Sequence, residues 1–153
     1  MSTGTNKTFD LRFAKINILG FSQFDQKNSF NKNAYPLIDF LTNIQFRVIE
    51  DVKRISCLIT VKMKIKETDE AFAELKVETQ FEVNPFDQTI VKESKDTNDY
   101  QIPNILMYNV ANVSVSTVRG ILYEKLKGTV AQDEVFPLID LAPQFMKNQP
   151  AVK

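Results

Sequence analysis

The chain has 153 residues, with 19 basic and 19 acidic side chains, no histidine, no tryptophan and a single cysteine. Balanced charge offers no basic field for nucleic acid. The missing histidine removes the usual general base and imidazole ligand, and a lone Cys57 excludes an intrachain disulfide or a cysteine-based zinc cluster.

The length suits one domain with one core. Glycines at positions 4, 20, 120 and 128 cannot build a phosphate-cradling loop. No cofactor is expected. The first eight residues are polar and read as a disordered lead-in, with no apolar run behind them to act as a signal peptide. No stretch is expected to reach the apolar length of a bilayer span, so the expectation is a cytoplasmic protein without membrane insertion.

In chain order, Phe9, Leu11 and Phe13 alternate with polar residues as a half-buried strand, and the apolar phase then slips to Ile16 and Ile18. A slip of one residue predicts a β-bulge. Gly20 ends or bends this strand. Residues 21–36 have no helical or strand period and are rich in Asn, Gln and Ser, yet carry Phe21, Phe24, Phe30 and Tyr35. Two readings stay open: the rings pin the loop to the core, or some of them line a groove for an apolar ligand.

Ile38 and Phe40, then Ile44, Phe46 and Val48, predict a second strand interrupted at Thr42-Asn43, with a turn at Glu50-Asp51. Alternation is clearest at Ile55, Cys57, Ile59, Val61, Met63 and Ile65, and again at Leu75, Val77, Thr79, Phe81 and Val83. The charged turn between Glu67 and Glu70 makes these two an antiparallel hairpin with one dry face and one wet face. Cys57 falls on the dry face as a small buried residue. On the wet face Lys62, Lys64 and Lys66 stand beside Glu74, Glu78 and Glu82, which predicts cross-strand charge pairing.

Asn84-Pro85 stops the sheet, and residues 87–99 read as a polar loop. Pro103 opens a helix, since its fixed φ suits a first turn. Tyr108, Ala111, Val115, Val118, Leu122 and Leu126 form its apolar stripe, although Val113 to Val118 alternate like a strand. Gly128, after Lys125 and Lys127, stops it. A loop at 130–134 and an apolar stretch at 136–141 follow.

Pro103-Asn104-Ile105-Leu106, Arg119-Gly120, Phe136-Pro137 and Leu141-Ala142-Pro143 with Phe145 resemble, in order and spacing, the C-terminal half of the SecB family of bacterial export chaperones. The resemblance implies an α+β fold, a four-stranded antiparallel sheet packed by one long helix. The second C-terminal helix of the family would be short or missing, because little chain follows Pro143. It would cover residues 9–147 as one domain, with a flexible tail at 148–153.

It further implies a non-enzymatic holdase that binds unfolded polypeptides, such as preproteins for export, without ATP. Client contacts would fall to Phe21, Phe24, Phe30, Tyr35, Ile38 and Phe40 on one side, and to Phe136, Leu138, Leu141 and Phe145 on the other. Phe9, Leu11, Phe13, Tyr108, Val115 and Arg119 would meet sister subunits in a homo-oligomeric dimer of dimers. Delivery would be to the SecA motor or, as in some family members, to a toxin–antitoxin pair. Export chaperones of the family are markedly acidic, whereas this chain is neutral and carries Lys76 on the exposed strand face. Two alternatives lie outside the resemblance: a small acyl-group hydrolase using Asp140 or Glu124, and an assembly protein without a client.

Overall fold

The computed structural model describes residues 9–96 and 99–146, so the expectations for the lead-in at 1–8 and the tail at 148–153 lie outside it. Strands β1 (Asp10–Gln23), β2 (Ile38–Ile49), β3 (Arg54–Ile65) and β4 (Ala71–Asn84) form one antiparallel sheet in the order β1-β4-β3-β2. A helical turn, α1 (Phe86–Thr89), and a small ribbon of β5 (Val91–Lys92) and β6 (Tyr100–Gln101) lead to the long helix α2 (Asn104–Lys125). A short helix, α3 (Ala142–Met146), comes last. This is the expected α+β architecture, with a second C-terminal helix described over Ala142–Met146.

The central strands follow their alternation. Ile55, Cys57, Ile59, Val61, Met63 and Ile65 on β3 and Leu75, Val77, Thr79, Phe81 and Val83 on β4 are all buried, on the face against which α2 packs. On the wet face, arginines rather than lysines meet two of the glutamates. Glu82 takes Arg12 at 3.0 Å and Arg54 at 3.5 Å, and Glu78 takes Arg47 at 3.6 Å. Lys64 turns instead to Asp69, at 3.7 Å. Strand β2 runs unbroken through Thr42 and Asn43, contrary to the expected interruption, because its twelve residues keep one register with β3 throughout.

The register of β1 against β4 skips Ala14 and Leu19. The first skip is the bulge that the apolar slip predicts. The second lies beside Gly20, which bends the strand without ending it, and β1 continues to Gln23. Through both bulges Leu11, Phe13, Ile16, Ile18 and Phe21 stay opposite Val83, Phe81, Thr79, Val77 and Leu75, and so share the face that α2 packs on.

Helix α2 buries Leu106, Val110, Ala111, Ser114, Val115, Val118 and Leu122, and Leu126 just past its end is buried too. The row is centred differently from the expected stripe, since Tyr108 is only half-buried. Burial of this face outweighs the strand-like alternation of residues 113–118, as tertiary packing commonly does over propensity. The helix also has the length and apolarity of a membrane span, 22 residues with a mean hydropathy of 1.2. That corrects the expectation that no stretch reaches such a length; the row buried against the sheet accounts for much of the apolarity.

One polar pair sits inside this interface. Ser114 Oγ donates to the Val110 carbonyl at 2.6 Å, which leaves Thr79 Oγ1 to donate to Ser114 across 2.7 Å. Both residues are buried, so each hydroxyl has exchanged water for the other. Ser114→Ala should lower unfolding free energy by about 1 kcal/mol in urea titration, by leaving the Thr79 hydroxyl only the longer contact to the Cys57 carbonyl at 3.4 Å. Adding Thr79→Val should recover part of that loss, because both polar groups are then gone.

Candidate functional site

Strands β1 and β2 occupy opposite edges of the sheet, so residues 24–37 must cross the ends of β4 and β3 to connect them. The crossing passes the β3–β4 turn, and the acidic residues of that turn hold the loop. Glu70 accepts the backbone N–H groups of Lys27 at 3.3 Å and Asn28 at 3.1 Å, and Glu67 accepts that of Asn31 at 3.0 Å. At the far end the buried Glu134 accepts the Leu37 N–H at 3.3 Å. Gln26 donates through Nε2 to the Phe24 and Ala71 carbonyls, and the Phe24 N–H reaches the Phe72 carbonyl. A loop without its own ladder must find acceptors for its amides, and three carboxylates supply them here.

The loop aromatics divide. Phe21 lies on the last stretch of β1 and Phe30 on the loop, both half-buried, while Phe24 is exposed. Phe24, Phe30, Phe72 and Val130 line a shallow cavity of about 480 Å³. Tyr35 is 87% exposed, and beyond it Ile38 is buried and Phe40 half-buried. In the C-terminal segment Phe136, Leu141 and Phe145 are buried, whereas Leu138 is 89% exposed.

The two groups of expected client residues touch. Phe40 meets Phe136 with ring centroids 5.5 Å apart, and nearby Phe46 meets Phe145 edge-on at 5.7 Å. Arg119 fixes the segment from α2: its Nε donates to the Phe136 carbonyl at 2.9 Å and its Nη2 to that of Pro137 at 3.0 Å, with the guanidinium over the Phe136 ring. Of the other expected interface residues, Phe9 and Val115 are buried, Leu11 and Tyr108 half-buried, and Phe13 is exposed while stacking on Phe81 at 4.6 Å. Sequence reasoning missed Ile16 and Ile18 as surface residues. They are 50% and 49% exposed on the apolar side of β1, where α2 does not reach.

Elsewhere the groups with chemical potential are occupied. Cys57 lies wholly inside, and burial pushes its thiol up to about 11. Asp140 accepts the Ala142 N–H at the start of α3, and Glu124 pairs with Lys127 at 3.2 Å. Among the described residues no cluster of acidic or cysteine side chains has the arrangement of a metal site.

No protein-family model matches the chain, and no curated protein matches it. Among solved structures it is similar to a SecB-like chaperone of Mycobacterium tuberculosis in complex with a peptide from an antitoxin. The identity is 13% and the TM-score 0.48, with 85% of each chain covered. It is also similar to a protein of unknown function from Streptococcus agalactiae, at 15% identity and a TM-score of 0.43, covering 88% of this chain and 99% of that one.

Glu70→Ala should speed hydrogen exchange at the amides of residues 27 and 28, while the amides of β3 and β4 stay protected. A second expectation concerns pH. On the wet face the Ser56 hydroxyl, 2.6 Å from Glu78, holds that carboxyl below its usual range, helped by Asn17, Gln80 and Arg47 and opposed by burial. A lowered folded-state value gives stability that is present above the ordinary carboxylate range and lost as pH falls through the folded value. Acid titration of Glu78→Gln, followed by circular dichroism, should therefore show a shallower loss of stability than the parent protein.

Proposed function

We propose that this protein is an ATP-independent holdase, a chaperone that binds extended, non-native polypeptide where the crossover loop meets the C-terminal segment. The observation that carries the reading is the pair Tyr35 and Leu138, 87% and 89% exposed. They stand on two segments tied together by the Leu37–Glu134 hydrogen bond and the Phe40–Phe136 contact. Large apolar side chains held open on an ordered surface mark an interaction site. Tolerance of client sequence follows from summing many weak contacts along a long chain. Such binding calls for no catalytic group.

In this reading the bare flank of β1, with Phe13, Ile16 and Ile18, joins copies of the chain into a cytoplasmic dimer of dimers. Of the two settings that the SecB resemblance allows, service to a toxin–antitoxin pair is favoured over delivery of preproteins to the SecA motor. The net charge is zero, and the outer sheet face intersperses Lys62 and Lys76 with Glu74 instead of presenting an acidic field.

Static light scattering with and without a permanently unfolded client tests assembly and binding together. The protein should run as an oligomer and gain the client's mass. Tyr35→Ser with Leu138→Ser should weaken client affinity about tenfold, close to 1.4 kcal/mol, with the thermal midpoint unchanged because both side chains are already in water. A protein that takes up no unfolded client would refute the reading.

A further inference from the structure

The outer face of the sheet, turned away from α2, is polar but not uniform. Its side chains run in rows across the strands. One row joins Arg47, Ser56, Gln80 and Lys15, the next Gln45, Leu58, Glu78 and Asn17, and a third Asn43, Thr60, Lys76 and Gly20. An open cavity of about 760 Å³ lies here, lined in part by Leu19, Gln45, Arg47, Ser56, Leu58 and Glu78. Leu19 is 56% exposed at the second bulge of β1, and Leu58 is half-buried on β3. Leucines at these positions interrupt the polar alternation that a solvated sheet face otherwise keeps.

The charges around the cavity are unequal. The three rows hold the cations Arg47, Lys15 and Lys76 against the single carboxylate of Glu78. That carboxylate is already answered, since it accepts the Ser56 hydroxyl at 2.6 Å and the Asn17 amide at 2.8 Å, with Arg47 at 3.6 Å. Lys15 and Lys76 are exposed and have no ion pair among the described residues. The rows on either side, with Arg12, Arg54 and Lys62 against Glu74 and Glu82, keep the same sign. A positive field around an apolar hollow suits a negative ligand with an apolar part.

Spacing decides between a small molecule and a chain. Arg47 and Lys15 stand on the two edge strands, about 14 Å apart at the usual strand spacing. Lys76 lies four residues along β4 from the row they share, roughly 13 Å away. A single carboxylate meets one of these cations at a time, whereas a segment with several acidic residues meets all three. We propose that the outer face docks an acidic segment of a partner protein. The segment lowers one aliphatic or aromatic side chain between Leu19 and Leu58 and sets carboxylates on Arg47, Lys15 and Lys76. Phe136 and Phe145 roof the opposite face, so the inference goes beyond the client-binding reading and stands without it.

The probe is a fluorescein-labelled peptide with one phenylalanine flanked by glutamates, serine and glycine filling the remainder, followed by fluorescence anisotropy. Two control peptides replace the phenylalanine with serine or every glutamate with lysine. The probe should bind, and both controls should bind at least about tenfold more weakly, near 1.4 kcal/mol. Added salt should weaken the probe, because exposed charges are screened. Lys15→Glu with Lys76→Glu should cost a similar factor, as should Leu19→Ser. These side chains are already exposed, so the thermal midpoint should hold. Uptake of unfolded client should be unchanged in these variants, and probe binding should survive Tyr35→Ser with Leu138→Ser. A probe that does not bind, or binds the charge-reversed protein equally well, would overturn the inference. So would a serine control that matches the probe, which would leave the cavity no part, or loss of probe binding in the Tyr35 and Leu138 variant. Self-association that grows with protein concentration and is abolished by Lys15→Glu with Lys76→Glu would assign the face to a second copy and overturn it too. None of these failures touches the client-binding reading, whose measure is the uptake of unfolded protein.

Discussion

One helix is too narrow for four strands. With side chains an α-helix is about 10 Å across, whereas four strands spaced about 4.8 Å apart present a face well over 14 Å wide. Helix α2 therefore sits over β3 and β4, and the two outer strands need other cover. The C-terminal segment roofs β2 through Phe136 and Phe145, and Arg119 holds it there. Strand β1 keeps Phe13, Ile16 and Ile18 open. Both the oligomer surface and the client surface proposed here arise from this shortage of cover.

The same constraint gives the hydroxyl pair its place. Where α2 crosses the middle of the sheet, packing alone would let the helix slide along the apolar row. Thr79 and Ser114 fix one point of contact, because a buried hydroxyl displaced from its partner loses a hydrogen bond that water cannot replace there. Cys57 lies close by, at the register position opposite Thr79, and its raised thiol value reflects the same dry surroundings.

Much of this fold was legible in the sequence. β3 and β4 have partners on both sides, so their alternation is clean. The slip from Phe13 to Ile16 recorded the first β1 bulge. At Thr42-Asn43 the strand reading faltered, since an edge strand tolerates polar residues on both of its faces. The ribbon of β5 and β6 went unread because each strand has two residues and depends on long-range contacts such as that of Tyr100 with Glu50. The division of loop aromatics into exposed Phe24 and Tyr35 and half-buried Phe21 and Phe30 depends on where the loop is held. That is decided by Glu67, Glu70 and Glu134, whose role as acceptors is set by spatial position rather than by any local pattern. The acidic turn was visible, but its purpose was not.

The strand order carries one more consequence, for synthesis. β2, β3 and β4 are neighbours in sequence and can close as a meander soon after they emerge, since short loops cost little entropy. Among the described residues the sole sheet neighbour of β1 is β4, with Asp10 opposite Asn84. The first of the four strands to leave the ribosome is thus the last of the four to be seated, and each newborn copy passes through a stage at which it is itself an unfinished chain with an unclaimed strand.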